Sequence, residues 1–178
     1  MLNDLEKIII TKEQIAVKVK ELADMLTEDY TGKNPLLISI LKGSVIFFSD
    51  LVRELPINIQ ADFLAVSSYG QNSKSSGEVR LVKDIETSIE DRHVIIVEDI
   101  IDTGRSLSYL KRMLYQRGPS SIKICALLDK RDGRETDIDP DYTGFIITDS
   151  HFLVGYGLDF AEKYRNLKDI WAMKLIEK

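Results

Sequence analysis

The stretch VIIVEDIIDTGRSLSYL, Val94 to Leu110, decides how this chain folds. A four-residue apolar run, Val94 to Val97, ends in two adjacent acids, Glu98 and Asp99. A third acid, Asp102, then runs straight into Thr103, Gly104, Arg105 and Ser106. The run is of strand length, and Arg105 to Gly118 reads as a helix stopped by a glycine at the usual C-terminal place. In open parallel sheets, ligands bind beyond the carboxyl ends of the strands. Charged residues are a poor choice for the end of a buried strand, so Glu98 and Asp99 raise the question of what there needs negative charge.

The pattern on either side repeats the same unit. Upstream, PLLISIL (Pro35 to Leu41) is a continuous apolar run, buried on both faces as a strand. It is followed by a helical stretch, GSVIFFSDLVREL, and a strand-like INIQADFLAVSS. Downstream comes SIKICALLD. From Thr11 to Tyr30, Ile15, Val19, Leu22, Ala23 and Leu26 recur at helical spacing, with Thr11 and Gln14 placed for a capping box. Strands alternating with helices predict an α/β fold with a mostly parallel central sheet flanked by helices. The last segment, residues 141–178, holds short strand-like runs and no further helical crossover. It is expected to form a small hood lobe with the N-terminus, all within a single domain spanning 1–178.

With 178 residues, 44% apolar and 30% charged, the chain reads as an ordinary globular protein with one good core. A net charge of −5 speaks against bulk nucleic-acid binding. No apolar run approaches membrane-spanning length, and the N-terminus lacks the pattern of a secretion signal. Cys125, the single cysteine, lies in an apolar run as a small core residue. A cytoplasmic protein is the expectation. The segment from Ser67 to Gly77 holds five serines and two glycines in eleven residues and cannot pack a core, which suggests a mobile loop.

The turn after the acids has the makings of a phosphate cradle. A helix N-terminus exposes unpaired N–H groups and partial positive charge. Gly104 permits close approach of the backbone, Thr103 and Ser106 add hydroxyls, and Arg105 adds charge. Acids beside such a cradle would repel the ligand unless they hold hydroxyls, a divalent cation or a proton in transit. Each feature alone is an ordinary cap or loop residue; their contiguity in one strand–loop–helix is what favours a binding site. No P-loop motif occurs, and GYGLDF at Gly155 has Phe160 where a dinucleotide motif needs its third glycine. Lys42 and Gly43, after the first apolar strand, suit a pyrophosphate contact. His93 and His151 are isolated and make no metal site.

VIIVEDIIDTGRSL resembles the phosphoribosyl-pyrophosphate signature of the type I phosphoribosyltransferases, and closely the hypoxanthine-guanine branch. The likeness continues through LLISILKGS, SSYG, LLDKR and FLVGYGLDFAEKYRNL, most of the chain. It implies a Mg²⁺-dependent purine-salvage enzyme using 5-phosphoribosyl 1-pyrophosphate and a 6-oxopurine, active as a homodimer or homotetramer. Glu98 and Asp99 would then address the ribose hydroxyls and the metal, with Thr103, Gly104, Arg105 and Ser106 around the 5′-phosphate. Asp102 would face purine N7 as the general base, and Lys130 would meet the exocyclic O6. Phe152 would stack on the base while the backbone of Leu153 reads its edge. Asp159 would lie near the purine and metal, and Arg165 on pyrophosphate. Ser68 and Tyr69 match lid residues, and the Leu41–Lys42 bond can be cis in similar proteins. The sequence departs from the family in having Arg105-Ser106 for the more usual Lys-Thr, and in a longer DSHFLVGYG segment with Leu153. Two rivals, a pyrimidine-type enzyme that also binds RNA and a non-catalytic phospho-receiver, fit the tail motifs and the cradle less well.

Overall fold

The computed structural model describes residues 4–68, 79–148 and 150–174. In chain order its elements are β1 (Leu5–Ile10), α1 (Lys12–Tyr30), β2 (Leu36–Leu41), α2 (Val45–Glu54), β3 (Gln60–Ser68) and β4 (Val79–Lys83). After these come β5 (His93–Ile101), α3 (Arg105–Tyr115), β6 (Ser121–Lys130), β7 (Tyr142–Ile147), β8 (Leu153–Val154) and β9 (Ile170–Met173). Helix α1 begins as the sequence requires. Thr11 Oγ1 accepts from the Gln14 N–H, and Gln14 Oε1 accepts from the Thr11 N–H.

A six-stranded sheet runs in the order β4-β3-β2-β5-β6-β7. All its neighbours are parallel except the β3–β4 pair. Period-two alternation distributes the apolar runs between two cores. Leu37, Ile95, Val97, Cys125 and Leu127 face one core, with Val19, Leu22 and Leu26 of α1 and Phe47 and Leu51 of α2. Leu36, Ile38, Val94, Ile96, Ile124 and Ala126 face the other, with Leu107, Leu110 and Leu114 of α3. The mostly parallel α/β sheet expected from the sequence is therefore a three-layer sandwich. Cys125 is fully buried, and burial pushes its thiol up to about 12, as befits an inert core residue.

A second, three-stranded sheet has the order β1-β9-β8, joining the N-terminal strand to the tail. Tyr164 Oη donates to Asp4 Oδ2 (2.7 Å), and the Lys12 N–H to Asp169 Oδ1 (2.8 Å). Strand β7 does not belong to this hood, although the sequence reading drew the hood mainly from roughly residues 141–178. It pairs with β6 and closes the large sheet, crossing from β6 without a helix. The sequence also left β4 unassigned, because its five residues mix charge with apolar side chains beside the serine-rich segment. Most of that segment lies outside the described residues; on either side of the undescribed stretch, Ser68 and Val79 pair in the antiparallel β3–β4 ladder. Among the described residues no helix is long and apolar enough to cross a membrane.

Asp62 on β3 ties the outer strands to the connection leading into β5. Its buried carboxylate accepts from the N–H groups of Phe63 (2.7 Å), Glu86 (2.8 Å) and Thr87 (2.9 Å). Burial alone would raise its pKa, but these donors more than offset that and hold it below the ordinary carboxylate range. Asp62→Ala is expected to destabilise the protein by about 1–3 kcal/mol in urea unfolding, since three backbone N–H donors lose their acceptor. A depressed folded value means that the contribution is complete above the unfolded value, about 3.9, and fades as pH falls through the folded one. Asp62→Asn should therefore flatten the acid limb of the stability–pH curve.

Candidate active site

The chain winds outward from the β2–β5 pair in both directions, to β3 and β4 on one side and to β6 and β7 on the other. That makes the carboxyl ends of β2 and β5 the switch point of the sheet, where connecting loops diverge and leave a crevice. A cleft of about 420 Å³ opens there. Strand β2 delivers Leu41, Lys42 and Gly43 to it. The turn is tied down by Ser44, whose Oγ donates to the Ile40 carbonyl (2.6 Å) and lies 2.7 Å from Ser39 Oγ, all buried. The Leu41–Lys42 peptide is cis.

The position of Glu98 and Asp99 differs from the sequence reading. Strand β5 does not end at the acids; it continues to Ile101, paired with β6 through Ile100 and Ile101. What ends is the pairing with β2, which runs only from Leu36–Val94 to Ser39–Val97. The acids are thus the first β5 residues beyond the reach of β2, and they face the gap. Gly43 packs so closely that a Cβ there would lie 2.0 Å from Asp99 Oδ2. Glycine at this position serves the carboxylate as well as any ligand.

Burial and the neighbouring Asp99 push the Glu98 carboxyl well above the ordinary range, and burial pushes Asp99 up to about 6. Asp99 accepts from the Ile100 N–H at 3.0 Å. Glu98 Oε2 is buried with no hydrogen-bond partner among the described residues. Such a pair needs a cation or hydroxyl donors to complete it. No cluster of three or more acidic, histidine or cysteine side chains among the described residues forms an all-protein metal cage. The donor set instead fits Mg²⁺, which is commonly held by one or two carboxylates together with substrate phosphates.

A smaller recess of about 170 Å³ adjoins the cleft, lined by Glu98, Asp102, Thr103, Gly104 and Ser106 among others. It lies over the N-terminus of α3, whose N-cap is Gly104 and where Thr103 Oγ1 accepts from the Arg105 N–H at 3.4 Å. The last turn before that helix is shaped from behind by the segment after β6. Gly104 has φ +78°, and a Cβ there would meet Thr136 Oγ1 at 2.3 Å and Ile138 Cγ2 at 2.7 Å. The glycine expected to admit a ligand is thus also required by the left-handed turn and by its own packing. Thr103 carbonyl accepts from the Glu135 N–H at 3.0 Å. Asp102 is exposed and lines both recesses, and a Cβ at Gly133 would come within 2.4 Å of its Oδ1.

The hood supplies the opposite wall. Lys130 at the end of β6, Phe152, Leu153, Asp159 and Arg165 all line the cleft. Phe152 is 51% exposed, its ring edge-to-face with Phe160 at 5.5 Å. Arg165 Nη2 pairs with Asp159 Oδ1 at 2.8 Å, and Nη1 donates to the Gly157 carbonyl at 2.8 Å. Gly157 in turn lies against Gly43, whose carbonyl a Cβ would meet at 2.0 Å. The hood is thereby keyed to the β2 turn.

Of the residues singled out from sequence, Arg105 is the one the structure turns aside: its guanidinium pairs with Glu135 and lines neither recess. Tyr69 lies outside the described residues, and Ser68 enters only as the backbone end of β3. His93 contacts Ser121 and His151 faces Glu6, both away from the cleft. Sequence reading missed Arg134. It sits in a polar run, DKRDGRE, that looks like a solvated loop, yet its side chain is only 12% exposed. It pairs with fully buried Asp129, and it donates to the carbonyls of Asp102 (Nε, 2.9 Å), Ile101 and Ile138. Only the apolar strand ending in an acid, CALLD, hinted that Asp129 would need a buried cation.

The phosphoribosyl transferase domain family matches residues 7–161. The hypoxanthine-guanine phosphoribosyltransferase of Streptococcus thermophilus is 50% identical over 172 residues, covering 97% of this chain and 95% of that protein. The enzyme of the same name from Lactococcus lactis is 49% identical, covering 96% and 92%. Among solved structures, a hypoxanthine phosphoribosyltransferase from Staphylococcus aureus superposes with a TM-score of 0.91 at 44% identity, covering 97% of this chain and 93% of that one.

Arg134→Met is expected to lower stability by about 1–3 kcal/mol in urea unfolding, because Asp129 keeps only the more exposed Arg131 (Nε to Oδ2, 2.9 Å) as partner and the carbonyls of Ile101, Asp102 and Ile138 lose a donor. Pairing it with Asp129→Leu should recover much of the loss, and additive losses in that cycle would show that the two residues do not act as a pair.

Proposed function

This chain belongs to the phosphoribosyl transferase domain family, and from that premise we propose how its cleft works. The protein is a purine-salvage enzyme of the hypoxanthine-guanine branch. It transfers the 5-phosphoribosyl group of 5-phosphoribosyl 1-pyrophosphate to N9 of hypoxanthine or guanine, giving IMP or GMP and pyrophosphate. The observation that carries the assignment of residues is the contiguous run from the orphaned Glu98 carboxylate to the Gly104 turn at the N-terminus of α3. One strand, one turn and one helix end bring a hydroxyl or metal site and a phosphate site into adjoining recesses, both lined by Glu98 and Asp102.

In this reading Thr103, Gly104 and Ser106 receive the 5′-phosphate at the helix N-terminus. Glu98 and Asp99 accept from the ribose 2′- and 3′-hydroxyls and hold Mg²⁺. When bound, the metal offsets the charge of the departing pyrophosphate. Lys42, the Gly43 backbone and Arg165 meet the pyrophosphate across the cleft. Lys130 donates to the purine O6, which favours a 6-oxo over a 6-amino base, since the latter presents donors in place of an acceptor. Phe152 supplies a stacking face, Leu153 backbone contacts to the purine edge, and Asp159 lies near the base and metal. Purine N9 forms a bond to C1′ as the bond from C1′ to the pyrophosphate oxygen breaks and its electron pair leaves with that oxygen. The N7 proton passes to Asp102, the exposed carboxylate lining both recesses. Arg105, held by Glu135, adds positive potential behind the phosphate and shapes the turn. Ser68 and Tyr69 close the site as part of a lid that excludes water from the oxocarbenium-like centre. The whole chain works as one domain, assembled as a homodimer or homotetramer in the cytoplasm, with no nucleic-acid or membrane partner.

An ultraviolet assay with Mg²⁺, 5-phosphoribosyl 1-pyrophosphate and hypoxanthine, guanine, xanthine, adenine or uracil tests the reading. Nucleotide is expected with hypoxanthine or guanine and not with adenine or uracil, and chelation of Mg²⁺ should abolish it. Asp102→Asn is expected to retain affinity for 5-phosphoribosyl 1-pyrophosphate and to lose about 10²- to 10⁴-fold in turnover. Unchanged turnover at saturating substrates would remove Asp102 from the proton transfer.

A further inference from the structure

The two cations read as pyrophosphate contacts already share an anion. Glu162 Oε2 lies 3.1 Å from Lys42 Nζ, and Glu162 Oε1 lies 3.4 Å from Arg165 Nη2. One carboxylate thus spans a lysine from the β2 turn and an arginine from the hood, with a separate oxygen on each. We propose that Glu162 is a built-in competitor for the pyrophosphate subsite, a carboxylate that the ligand's phosphates must displace from Lys42 and Arg165. The inference rests on the reading of those two cations given above.

The local backbone supports this role. Ala161, Glu162 and Tyr164 all have positive φ, at 51°, 62° and 75°. Such a conformation in side-chain-bearing residues persists only where the surroundings hold it. Here the Glu162 N–H donates to Asp159 Oδ2 (2.9 Å), and Phe160 and Lys163 exchange backbone hydrogen bonds at 3.2 and 3.1 Å. The backbone of Glu162 is therefore pinned beside the subsite, whereas its side chain is largely exposed, 66%, as is that of Lys42, 69%. Lys42 holds the Glu162 carboxyl below the ordinary range, so it stays charged through neutral pH. Exposed ion pairs are weak and exchange readily. A pyrophosphate, with several oxygens and more charge, outcompetes a single carboxylate for the same donors. Arg165 is also held by Asp159 Oδ1 and the Gly157 carbonyl, contacts that do not involve the Glu162 side chain. The consequence is a subsite whose affinity for its leaving group is held down, which favours release of product.

The test is calorimetric titration of inorganic pyrophosphate with Mg²⁺ into the full-length protein, alongside the nucleotide-forming assay. Glu162→Gln is expected to bind pyrophosphate about 3- to 10-fold more tightly, the scale of two exposed ion contacts. It should also lower KM for 5-phosphoribosyl 1-pyrophosphate without raising kcat. Glu162→Ala must shift affinity in the same direction, and the gain should shrink when Lys42→Met is combined with Glu162→Gln. Unchanged or weaker binding in the single variants would overturn the proposal, the second outcome making Glu162 a support for the cations. A protein that makes no nucleotide yet binds pyrophosphate more tightly as Glu162→Gln would unseat the assigned reaction and leave the competitor in place.

Discussion

The outward winding of the sheet from β2 and β5 is the constraint on which the site depends. Neighbouring parallel strands whose connections leave in opposite directions cannot both be covered at their carboxyl ends. The gap is lined by whatever residues follow the last shared pair, here Ser39 and Val97. On and after β2 those residues are Ile40, Leu41, Lys42 and Gly43, and on β5 they begin with Glu98 and Asp99. Because β5 runs on beside β6 for three residues after Glu98, its acids are held by a ladder on one side only. They are rigidly placed and electrostatically unsatisfied at once.

Close backbone approach then joins the parts. Gly157 of the hood rests on Gly43, and Gly43 rests on the Asp99 carboxylate, with no room for a Cβ at either glycine. The hood is thus in register with the acids through two contacts that any larger residue would prise open. On the other side, Arg134 and Asp129 perform the same service for the phosphate turn. A largely buried guanidinium donates to the carbonyls of Ile101 at the end of β5 and of Asp102 and Ile138 in the connections beyond it. Buried ion pairs of this kind add little net stability, but they penalise every arrangement in which the partners separate.

Much of this was legible in the residues. The helical spacing from Ile15 to Leu26, the Thr11–Gln14 box and the apolar runs of β2, β5 and β6 produced the elements that they specify. They are local patterns enforced by local physics. Less legible were β4, whose alternation is short and charged, and β7, whose partner is chosen by the free edge of β6 and not by its own six residues. Arg134, Asp129 and Glu162 were hidden for another reason. Charged residues in a polar run look alike in sequence, and only packing distinguishes a buried counter-ion, a bridging competitor and a solvated side chain.

The sequence by itself determined the α/β class, the strand–acid–helix unit and the chemical inventory of the cleft, because periodicity and motif spacing act over a few residues. Tertiary structure decided which of those groups meet. The acids open onto the gap because β2 stops pairing at Val97, Arg105 is drawn off by Glu135, and Gly104 and Gly43 answer to protein neighbours before any ligand. These are contacts between segments tens of residues apart, and they follow from the winding of the chain, which no local pattern encodes.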